Sequence, residues 1–329
     1  MIRTLVNSGF VNNSGTTKTL DWEIISSSLG DDSVLALRKK LTVVAEPFPL
    51  LSLEIDRAFG TKKDDVSALK IVKRKGQCLG IILLKKRDFD STHFKKKVGS
   101  LEIFRSLGNR YSENCLIKDL LLKELTVPLE KFDYITCRVP AEDLAAANVL
   151  EYYGFEILSG MLSFQFNFKR NGLPKKETAE ITPCHPSEVS ALATIAGQAF
   201  IHDRFHQDYK LSDKHCDSLH EKWVTNCCVN SLADVVLVSR QDGEPSGFIA
   251  CRLAGELNKV RFGEIVLVSV APNVHGQGIG GNLIQAALEW FQKRTDIVFV
   301  RTESTNYSSV KMYLNAGFSL IESSYYFRR

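Results

Sequence analysis

Several features that mark particular protein classes are scarce or missing in this chain of 329 residues. The charges nearly balance, with 42 Lys and Arg residues against 38 Asp and Glu residues. So small an excess predicts neither a nucleic acid nor a membrane surface as partner. Apolar runs are short, so we expect no signal peptide and no membrane-spanning helix. A formal net charge of +4 still suits an anionic small molecule.

Cysteine pairs with metal-binding spacing are also missing. The eight cysteines form no CxxC pair and do not alternate with histidine, so we predict no metal site. Cys137 lies in the apolar run FDYITCRV, where a reduced thiol behaves as a small hydrophobic group. A reducing compartment, the cytoplasm, is therefore the simplest interpretation.

Polar segments divide the rest of the chain. Residues 1–20 are rich in Asn, Ser, Thr and Gly, which predicts a loosely held arm. Residues 169–180, KRNGLPKKETAE, contain a Gly-Leu-Pro breaker and are interpreted as a linker. Residues 21–168 and 181–329 are then two mixed α/β domains of ordinary size.

The two predicted domains share a pattern at a fixed offset of 163 residues. At that offset FDYITCRVPAEDLAAANVLEYYGFEI aligns without a gap with TDIVFVRTESTNYSSVKMYLNAGFSL. Arg138 then lies opposite Arg301, and Gly154 lies opposite Gly317. The pattern predicts a tandem duplication of one α/β unit. Residues that both copies share are interpreted as structural, and residues that one copy lacks are candidates for chemistry.

A glycine-rich loop follows the predicted strand Glu264–Val270 and precedes a predicted helix. The loop, HGQGIGG at positions 275–281, contains four glycines, which let backbone N–H groups approach a ligand. A pyrophosphate binds in this way at the positive end of a helix. The alternative is a tight turn that binds nothing, although such a turn needs only one or two glycines. The opposite positions of the first copy are Glu113, Cys115, Ile117 and Lys118.

The run VAPNVHGQGIGGNLI resembles the coenzyme A signature of the GCN5-related N-acetyltransferase (GNAT) family, (Arg or Gln)-x-x-Gly-x-(Gly or Ala). Gly278 and Gly280 occupy the small-residue positions, and His275 stands where Arg or Gln is usual. The resemblance implies an acetyl-CoA-dependent N-acetyltransferase. It also implies an α/β fold of tandem GNAT-like mixed β-sheets flanked by helices, with a degenerate N-terminal copy. The implied acetyl-CoA contacts are Val268, Val270, His275, Gly276, Gln277, Gly278, Ile279, Gly280, Gly281, Asn306 and Ser309.

The segment 306–318 reads N-x-x-S-x-x-x-Y-x-x-x-G-F and resembles the family segment that supplies a tyrosine at the leaving sulfur. A phenol with an ordinary pKa of about 10 is protonated at neutral pH and can donate to an expelled thiolate. Tyr313 is therefore the predicted general acid, and its counterpart in the first copy is Leu150. The alternative is a core aromatic side chain.

An attacking amine must also lose a proton. The run EIVLVSV resembles a family strand whose first glutamate is the general base in several members, so Glu264 is the predicted base. The alternative is a solvated surface charge.

The acceptor is predicted from a narrower resemblance. ALATIAGQAFIHDRFHQDYKLSDK and the ending VKMYLNAGFSLIESSYYFRR resemble the dTDP-4-amino-4,6-dideoxygalactose N-acetyltransferases of bacterial surface-polysaccharide synthesis. This implies a small-molecule amine, a dTDP-amino sugar, with Arg204 and Phe205 as substrate contacts. A guanidinium matches phosphate oxygens, although the same residues also suit a surface loop. Another small amine (aminoglycoside, amino acid or polyamine) and a non-catalytic acyl-CoA-binding regulator stay open as alternatives, as does a homodimer.

Overall fold

The chain is described here by a computed structural model that covers residues 22–27, 32, 34–35, 58–59, 63–172, 181–200, 203–230 and 232–329. The predicted arm at residues 1–20 lies outside these ranges, as do residues 173–180 of the predicted linker. The structure divides into two compact units. Unit 1 comprises the chain up to Ser159 together with Ser324–Arg329, and unit 2 comprises Gly160–Ser323.

Unit 1 is built on a mixed sheet. The strands are β1 (Trp22–Ser26), β2 (Val66–Arg74), β3 (Gln77–Lys86), β4 (Val98–Ser106) and β5 (Tyr134–Pro140). The helices are α1 (Asp88–Phe94), α2 (Tyr111–Lys123), α3 (Thr126–Leu129) and α4 (Leu144–Tyr152). Strands β1 to β4 pair antiparallel in chain order, β4 pairs with β5 in parallel, and β5 pairs antiparallel with Ser324–Arg328.

Unit 2 repeats this topology. Its strands are β6 (Glu156–Asn167, from Gly160 onward), β7 (Ile181–Pro183), β8 (Val235–Gln241), β9 (Glu244–Leu257), β10 (Val260–Val270), β11 (Ile297–Glu303) and β12 (Ser319–Arg328, up to Ser323). Its helices are α5 (Phe168–Asn171), α6 (Val189–Ala199), α7 (Asp213–Val229), α8 (Ile279–Gln292) and α9 (Tyr307–Asn315). Strands β7 to β10 pair antiparallel, β10 pairs with β11 in parallel, and β11 pairs antiparallel with β6.

The predicted duplication is confirmed at the level of single residues. The bounds of β5 and α4 in unit 1 become those of β11 and α9 in unit 2 when each is shifted by 163 residues. Helices α4 and α9 are capped by the same interaction, in which a side-chain oxygen accepts a backbone N–H. Asp143 accepts from Ala146, and Asn306 accepts from Ser309. Hairpin chemistry repeats as well, since Lys75-Gly76 and Asp242-Gly243 both have positive φ, as a two-residue type I′ turn requires.

The division between the units differs from the predicted linker at residues 169–180. Residues 160–167, placed by the sequence in the first domain, pair with β11 and belong to unit 2. Residues 324–329, placed in the second domain, pair with β5 and belong to unit 1. Strand pairing therefore decides which unit a residue joins, whereas the linker was inferred from polar composition.

Helix α8 carries the core of unit 2 on one face. Leu283, Ile284, Ala287, Leu288 and Phe291 recur at spacings of three and four residues and are all fully buried. They pack in one cluster with residues of β10, β11 and β6. The opposite face of the sheet packs against α6 and α7.

Candidate functional site

The glycine-rich loop, residues 275–281, is called the cradle and joins β10 to α8. A single 3₁₀ turn, Pro272–Val274, leads into it. Gly276 and Gly278 both have φ of +80°, a conformation that strains any residue with a Cβ. Gly278 is the N-cap of α8, and no side chain caps this helix. The first N–H groups of α8 therefore lie at an exposed helix N-terminus that favours an anion.

His275 braces the turn. Its ring nitrogen Nε2 lies 2.9 Å from the carbonyl oxygen of Val270. Because a carbonyl can only accept, Nε2 carries the proton and donates. The position that is usually Arg or Gln thus ties the cradle to the end of β10. Gln277 is fixed in a similar way, since its Oε1 accepts from Gln241 Nε2 at 2.8 Å.

The last three cradle residues form the start of α8. Ile279 is buried in the core cluster of α8. A Cβ on Gly280 would lie 2.7 Å from the sulfur of Met312, so this glycine lets α8 and α9 approach each other. Gly281 lies in the first turn of α8.

Strands β10 and β11 separate beside the cradle. Their parallel pairing covers only Phe262–Glu264 of β10, although β10 continues to Val270. A register irregularity between Ile265 and Leu267 accompanies the separation. Val268 and Val270 lie along this open edge, half-buried against the α8 cluster. The gap has the form needed to admit an extended chain, which could hydrogen bond with the open backbone groups of β10.

Asn306 and Ser309 lie at the start of α9. The side-chain oxygen of Asn306 accepts the N–H of Ser309 at 3.1 Å and the hydroxyl of Ser308 at 2.9 Å. The counterpart of Asn306 in unit 1, Asp143, makes the same cap. The oxygen of Asn306 thus has a structural role, while contact of Asn306 and Ser309 with acetyl-CoA stays a prediction.

Tyr313 lies in the core of unit 2. It is 2% exposed, and its ring centroid lies 5.7 Å from that of Phe164 and 5.8 Å from that of Phe318. Burial raises the pKa of its phenol far above the ordinary value, so the hydroxyl is protonated at every physiological pH. Tyr313 is thus a core aromatic side chain, and its hydroxyl is also in the protonated form that a general acid requires.

Glu264 is held between two guanidinium groups. Arg252 Nη2 donates to Glu264 Oε2 at 2.6 Å, and Arg301 Nη1 lies 3.5 Å from Glu264 Oε1. Glu264 is the last β10 residue before the strands separate. It lies in the interior of β10, which begins at Val260, rather than at the start of the strand.

Arg204 and Phe205 form a pair in the segment between α6 and α7. The guanidinium carbon of Arg204 lies 4.3 Å from the centroid of the Phe205 ring. Arg204 Nη1 also donates to Glu303 Oε1 at 3.4 Å. The guanidinium group of Arg204, a predicted substrate contact, is therefore already oriented by a ring and a carboxylate.

A buried charged cluster supports this segment. Asp203 Oδ1 accepts the N–H groups of Phe205 and His206, at 2.8 and 3.0 Å. The two ring nitrogens of His206 each lie 3.0 Å from a carboxylate, that of Asp203 or of Asp217. Two carboxylate partners require two N–H donors, so His206 is an imidazolium.

The pKa values of this cluster agree with that assignment. Burial opposes ionisation of Asp203, but His220 and His206 outweigh it and lower the pKa of Asp203 to about 2. Burial also opposes the charge on His206, but the bonds to Asp217 and Asp203 outweigh it and raise the pKa of His206.

The equivalent region of unit 1 is filled by its own side chains. Helix α2 begins at Tyr111, so the positions opposite Gly276 and Gly278 already lie inside a helix. Glu113 accepts the N–H of Asn109 at 2.9 Å, and so supplies an anion from the chain itself. Lys118, opposite Gly281, is 2% exposed and lies 3.1 Å from Asp143. Burial lowers the pKa of Lys118, and the charge of Asp143 opposes this effect.

The cysteines are unsuited to nucleophilic attack. All eight are free, and burial raises the pKa of Cys216 and Cys228 to about 12. A thiol with so high a pKa holds little of the reactive thiolate at neutral pH. Over the described ranges, no group of His, Cys, Asp and Glu side chains is arranged to hold a metal ion.

Sequence analysis did not single out two parts of this region. Glu303 stands three residues before Asn306, but nothing in its neighbours marks it. The His206 and His220 cluster is visible only as scattered polar residues, because its partners come from different turns of the chain. Comparison of the copies gives one signal that could have identified Glu303 as a candidate for chemistry: its counterpart in the first copy is Pro140.

Comparison with known proteins agrees with this geometry. Residues 199–318, which include the cradle, the gap and α9, match the model of the Acetyltransferase (GNAT) family. Residues 199–318 of unit 2 thus carry the GNAT acetyltransferase signature. The enzyme is accordingly an N-acetyltransferase of the class that takes its acetyl group from acetyl-CoA.

Relatives extend the likeness over both units of this chain. It is 24% identical over 255 residues to the spore coat polysaccharide biosynthesis protein SpsD of Bacillus subtilis (strain 168), covering 75% of this chain and 83% of SpsD. A tandem GNAT protein from the clavulanic acid biosynthesis pathway has a TM-score of 0.59 at 13% identity and covers 94% of this chain and 98% of that one.

A second solved structure has the same fold. It is the GCN5-related glucosamine N-acetyltransferase region of a fungal multi-domain β-N-acetylglucosaminidase, with a TM-score of 0.63 at 16% identity. The match covers 95% of this chain and 38% of that chain. The tandem GNAT fold predicted from the sequence is thus confirmed. In the described part of the chain no helix combines the length and apolarity needed to cross a membrane.

Proposed function

We propose that this enzyme transfers the acetyl group of acetyl-CoA to the primary amine of a nucleotide-linked amino-deoxy sugar. The observation that carries the proposal is the likeness to a polysaccharide biosynthesis protein over 75% of the chain. The Arg204 and Phe205 pair supports it, since a guanidinium recognises diphosphate oxygens and an aromatic ring can stack on a base or sugar. In this proposal the reaction takes place in the cytoplasm, a reducing compartment in which cysteines stay free thiols.

Acetyl-CoA binds on the cradle of unit 2 in this proposal. Its pyrophosphate accepts the N–H groups of residues 276–281 at the N-terminus of α8, and His275 and Gln277 hold the loop in shape. The pantetheine arm enters the gap between β10 and β11 and pairs with the backbone at Val268 and Val270. Asn306 and Ser309 border the arm from the start of α9. Unit 1 binds no acetyl-CoA, because Glu113 and Lys118 occupy the equivalent places.

The amine attacks the thioester directly. The nitrogen forms a bond to the carbonyl carbon, the carbon–sulfur bond breaks, and Tyr313 donates its phenolic proton to the departing thiolate. A covalent acyl-enzyme is not required, in keeping with cysteines whose raised pKa values keep the thiols protonated.

Thiol release from acetyl-CoA against a panel of amines tests the proposal. The panel contains dTDP-4-amino-4,6-dideoxy sugars, aminoglycosides, polyamines and amino acids. We expect turnover of the nucleotide-linked sugar at least 100-fold above the others in kcat/KM. An Arg204→Gln variant should raise the KM for that sugar, while the KM for acetyl-CoA stays unchanged.

The other outcomes discriminate between the alternatives. Preferential turnover of an aminoglycoside, polyamine or amino acid would replace the sugar by that amine. Binding of acetyl-CoA without turnover of any amine would favour a non-catalytic acyl-CoA-binding regulator.

A further inference from the structure

Glu303, the last residue of β11, carries an unsatisfied buried oxygen. Its side chain is 12% exposed, and Oε1 lies 3.4 Å from Arg204 Nη1. The other oxygen, Oε2, is shielded from solvent and accepts no hydrogen bond within the described part of the chain. A buried carboxylate oxygen without a donor is unfavourable, which indicates that a donor arrives from a bound molecule.

Glu303 faces the side of the sheet where the predicted substrate contact lies. Alternate residues of a strand share a face, so Arg301 and Glu303 lie on the same side of β11. Arg301 contacts Glu264, and Glu303 contacts Arg204. Val298 and Val300, which alternate with these residues along β11, pack on the opposite side in the α8 cluster. Glu303 thus lies on the Arg204 side of the open end of the β10–β11 gap.

Glu264, the base predicted from the sequence, is less suited to receive a proton. Two guanidinium groups, those of Arg252 and Arg301, contact its two oxygens. Two cations around one carboxylate stabilise its charged form and repel an incoming ammonium. Among the described residues, Glu303 has one cation within contact distance, Arg204, on one oxygen.

The duplicated copy supplies an independent comparison. Arg301 has the shared counterpart Arg138, and the counterpart of Glu303 is Pro140, which has no proton acceptor in its side chain. Glu303 is therefore confined to the unit that carries the cradle, as Tyr313 is.

We propose that Glu303 binds the ammonium group of the acceptor and serves as the general base. The acceptor enters as RNH₃⁺ and donates to Oε2, which takes one proton and leaves RNH₂. The nitrogen then attacks the thioester carbon, and the carbon–sulfur bond breaks. The nitrogen loses a second proton as the amide forms, and the thiolate gains one proton, so this step releases no net proton. The products are the N-acetyl amide, coenzyme A thiol and one proton that Glu303 returns to solvent. The proposal rests on acetylation of an amine, not on the identity of the acceptor.

The test compares Glu303→Gln with the matched variant Glu264→Gln, using the best amine of the panel. Both substitutions preserve shape and remove one negative charge. For Glu303→Gln we expect kcat to fall about 100-fold or more, the usual contribution of a general base. We also expect kcat/KM to rise about tenfold per pH unit, because only amine that is already unprotonated can react. Glu264→Gln should keep the pH profile of the native enzyme.

Acetyl-CoA affinity and the melting temperature, measured for both variants, separate loss of the base from loss of the fold. If Glu303→Gln does not fold, Glu303→Asp replaces it and should retain the native pH profile at reduced kcat. Glu303→Gln activity within threefold of the native enzyme would overturn the proposal, as would a pH profile altered only by Glu264→Gln. Failure of the sugar proposal alone would appear as a different preferred amine with this pH behaviour intact.

Discussion

Tyr313 illustrates how one side chain can serve both packing and chemistry. Its ring fills the α8 core cluster between Phe164 and Phe318, while its hydroxyl is the group that distinguishes it from the Leu150 of unit 1. Leu150 is fully buried in the equivalent core. An aliphatic side chain therefore satisfies the packing, so the hydroxyl needs another explanation, which proton donation supplies.

Replacing Tyr313 by Phe should lower kcat by about 100-fold or more, since the variant lacks a proton donor for the thiolate. The dissociation constant of acetyl-CoA should change by less than about threefold, because the aromatic packing is preserved. Steady-state kinetics and calorimetric titration measure the two quantities. Tyr307→Phe on the same helix is the control, since Tyr307 is 77% exposed and should have no effect. Native kcat in Tyr313→Phe would remove the acid assignment.

At the residue scale, the sequence marks a position where a residue type has an unusual property, while the roles of the predicted site residues stay predictions. Glycine's conformational freedom allows the positive φ of Gly276 and Gly278. The histidine at position 275, where Arg or Gln is usual, is explained by its hydrogen bond to the Val270 carbonyl, which only the structure shows. Glu303 could not be predicted in this way, because its unsatisfied oxygen depends on neighbours brought together by folding.

Helices α2 and α8 show how an equivalent helix can gain or lose an anion site. Helix α2 begins earlier and receives the carboxylate of Glu113 at its start. Helix α8 begins at Ile279, behind two glycines, and receives no side-chain cap. The same positive helix end is thus neutralised internally in unit 1 and exposed in unit 2.

A negative charge beside α8 should therefore compete with the pyrophosphate of acetyl-CoA. Gln277→Glu changes little in shape, and the new carboxylate can still accept from Gln241. We expect acetyl-CoA to bind about fivefold more weakly at low salt, and the loss to shrink at high salt. Thermal stability of the free protein should not fall, since a carboxylate suits a helix N-terminus.

Gln292→Glu provides the matched control for this experiment. Gln292 is the last residue of α8, so the same change in net charge occurs at the other end of the helix. Acetyl-CoA affinity should then be unchanged. Equal effects of both substitutions in calorimetric titrations would mean that the cradle does not hold the pyrophosphate.

A helix or strand can be predicted from the sequence when apolar residues occupy its buried face. Strand β10 ends at Val270, as the predicted strand does, and the predicted helix after the glycine-rich loop is α8, because apolar residues occupy the buried positions of both. Helix α7 was not predicted. Its buried positions include Cys216, His220 and Cys227, which weaken the apolar periodicity that identifies a helix.

Unit 1 is not a continuous stretch of chain, since Ser324–Arg329 belongs to it, whereas unit 2 is the continuous stretch Gly160–Ser323. The sequence predicted the number of units and their repeated pattern correctly. It could not predict the exchange of strand segments, because residues 160–167 would satisfy the same alternating pattern beside either parent sheet. Composition locates a polar segment, but hydrogen-bond partners locate a boundary.

This arrangement predicts which fragments fold. The fragment 181–329 lacks residues 161–167, so β11 loses its antiparallel partner and the α8 core loses Phe164 and Phe166, each 1% exposed. Removing one buried Phe side chain costs about 3 to 5 kcal/mol, and a domain has about 5 to 15 kcal/mol of stability in total. We therefore expect 181–329 to lack a cooperative thermal transition.

The longer fragment 160–329 restores the strand and both phenylalanines, so it should unfold cooperatively. Acetyl-CoA should raise its melting temperature, because ligand binding to the folded state alone stabilises that state. Differential scanning calorimetry with and without acetyl-CoA compares the two fragments directly. A cooperative transition with the same acetyl-CoA shift in 181–329 would show that residues 160–167 are not needed by unit 2. If only 160–329 responds, the cradle depends on a strand that precedes the predicted linker, and the functional domain begins at β6.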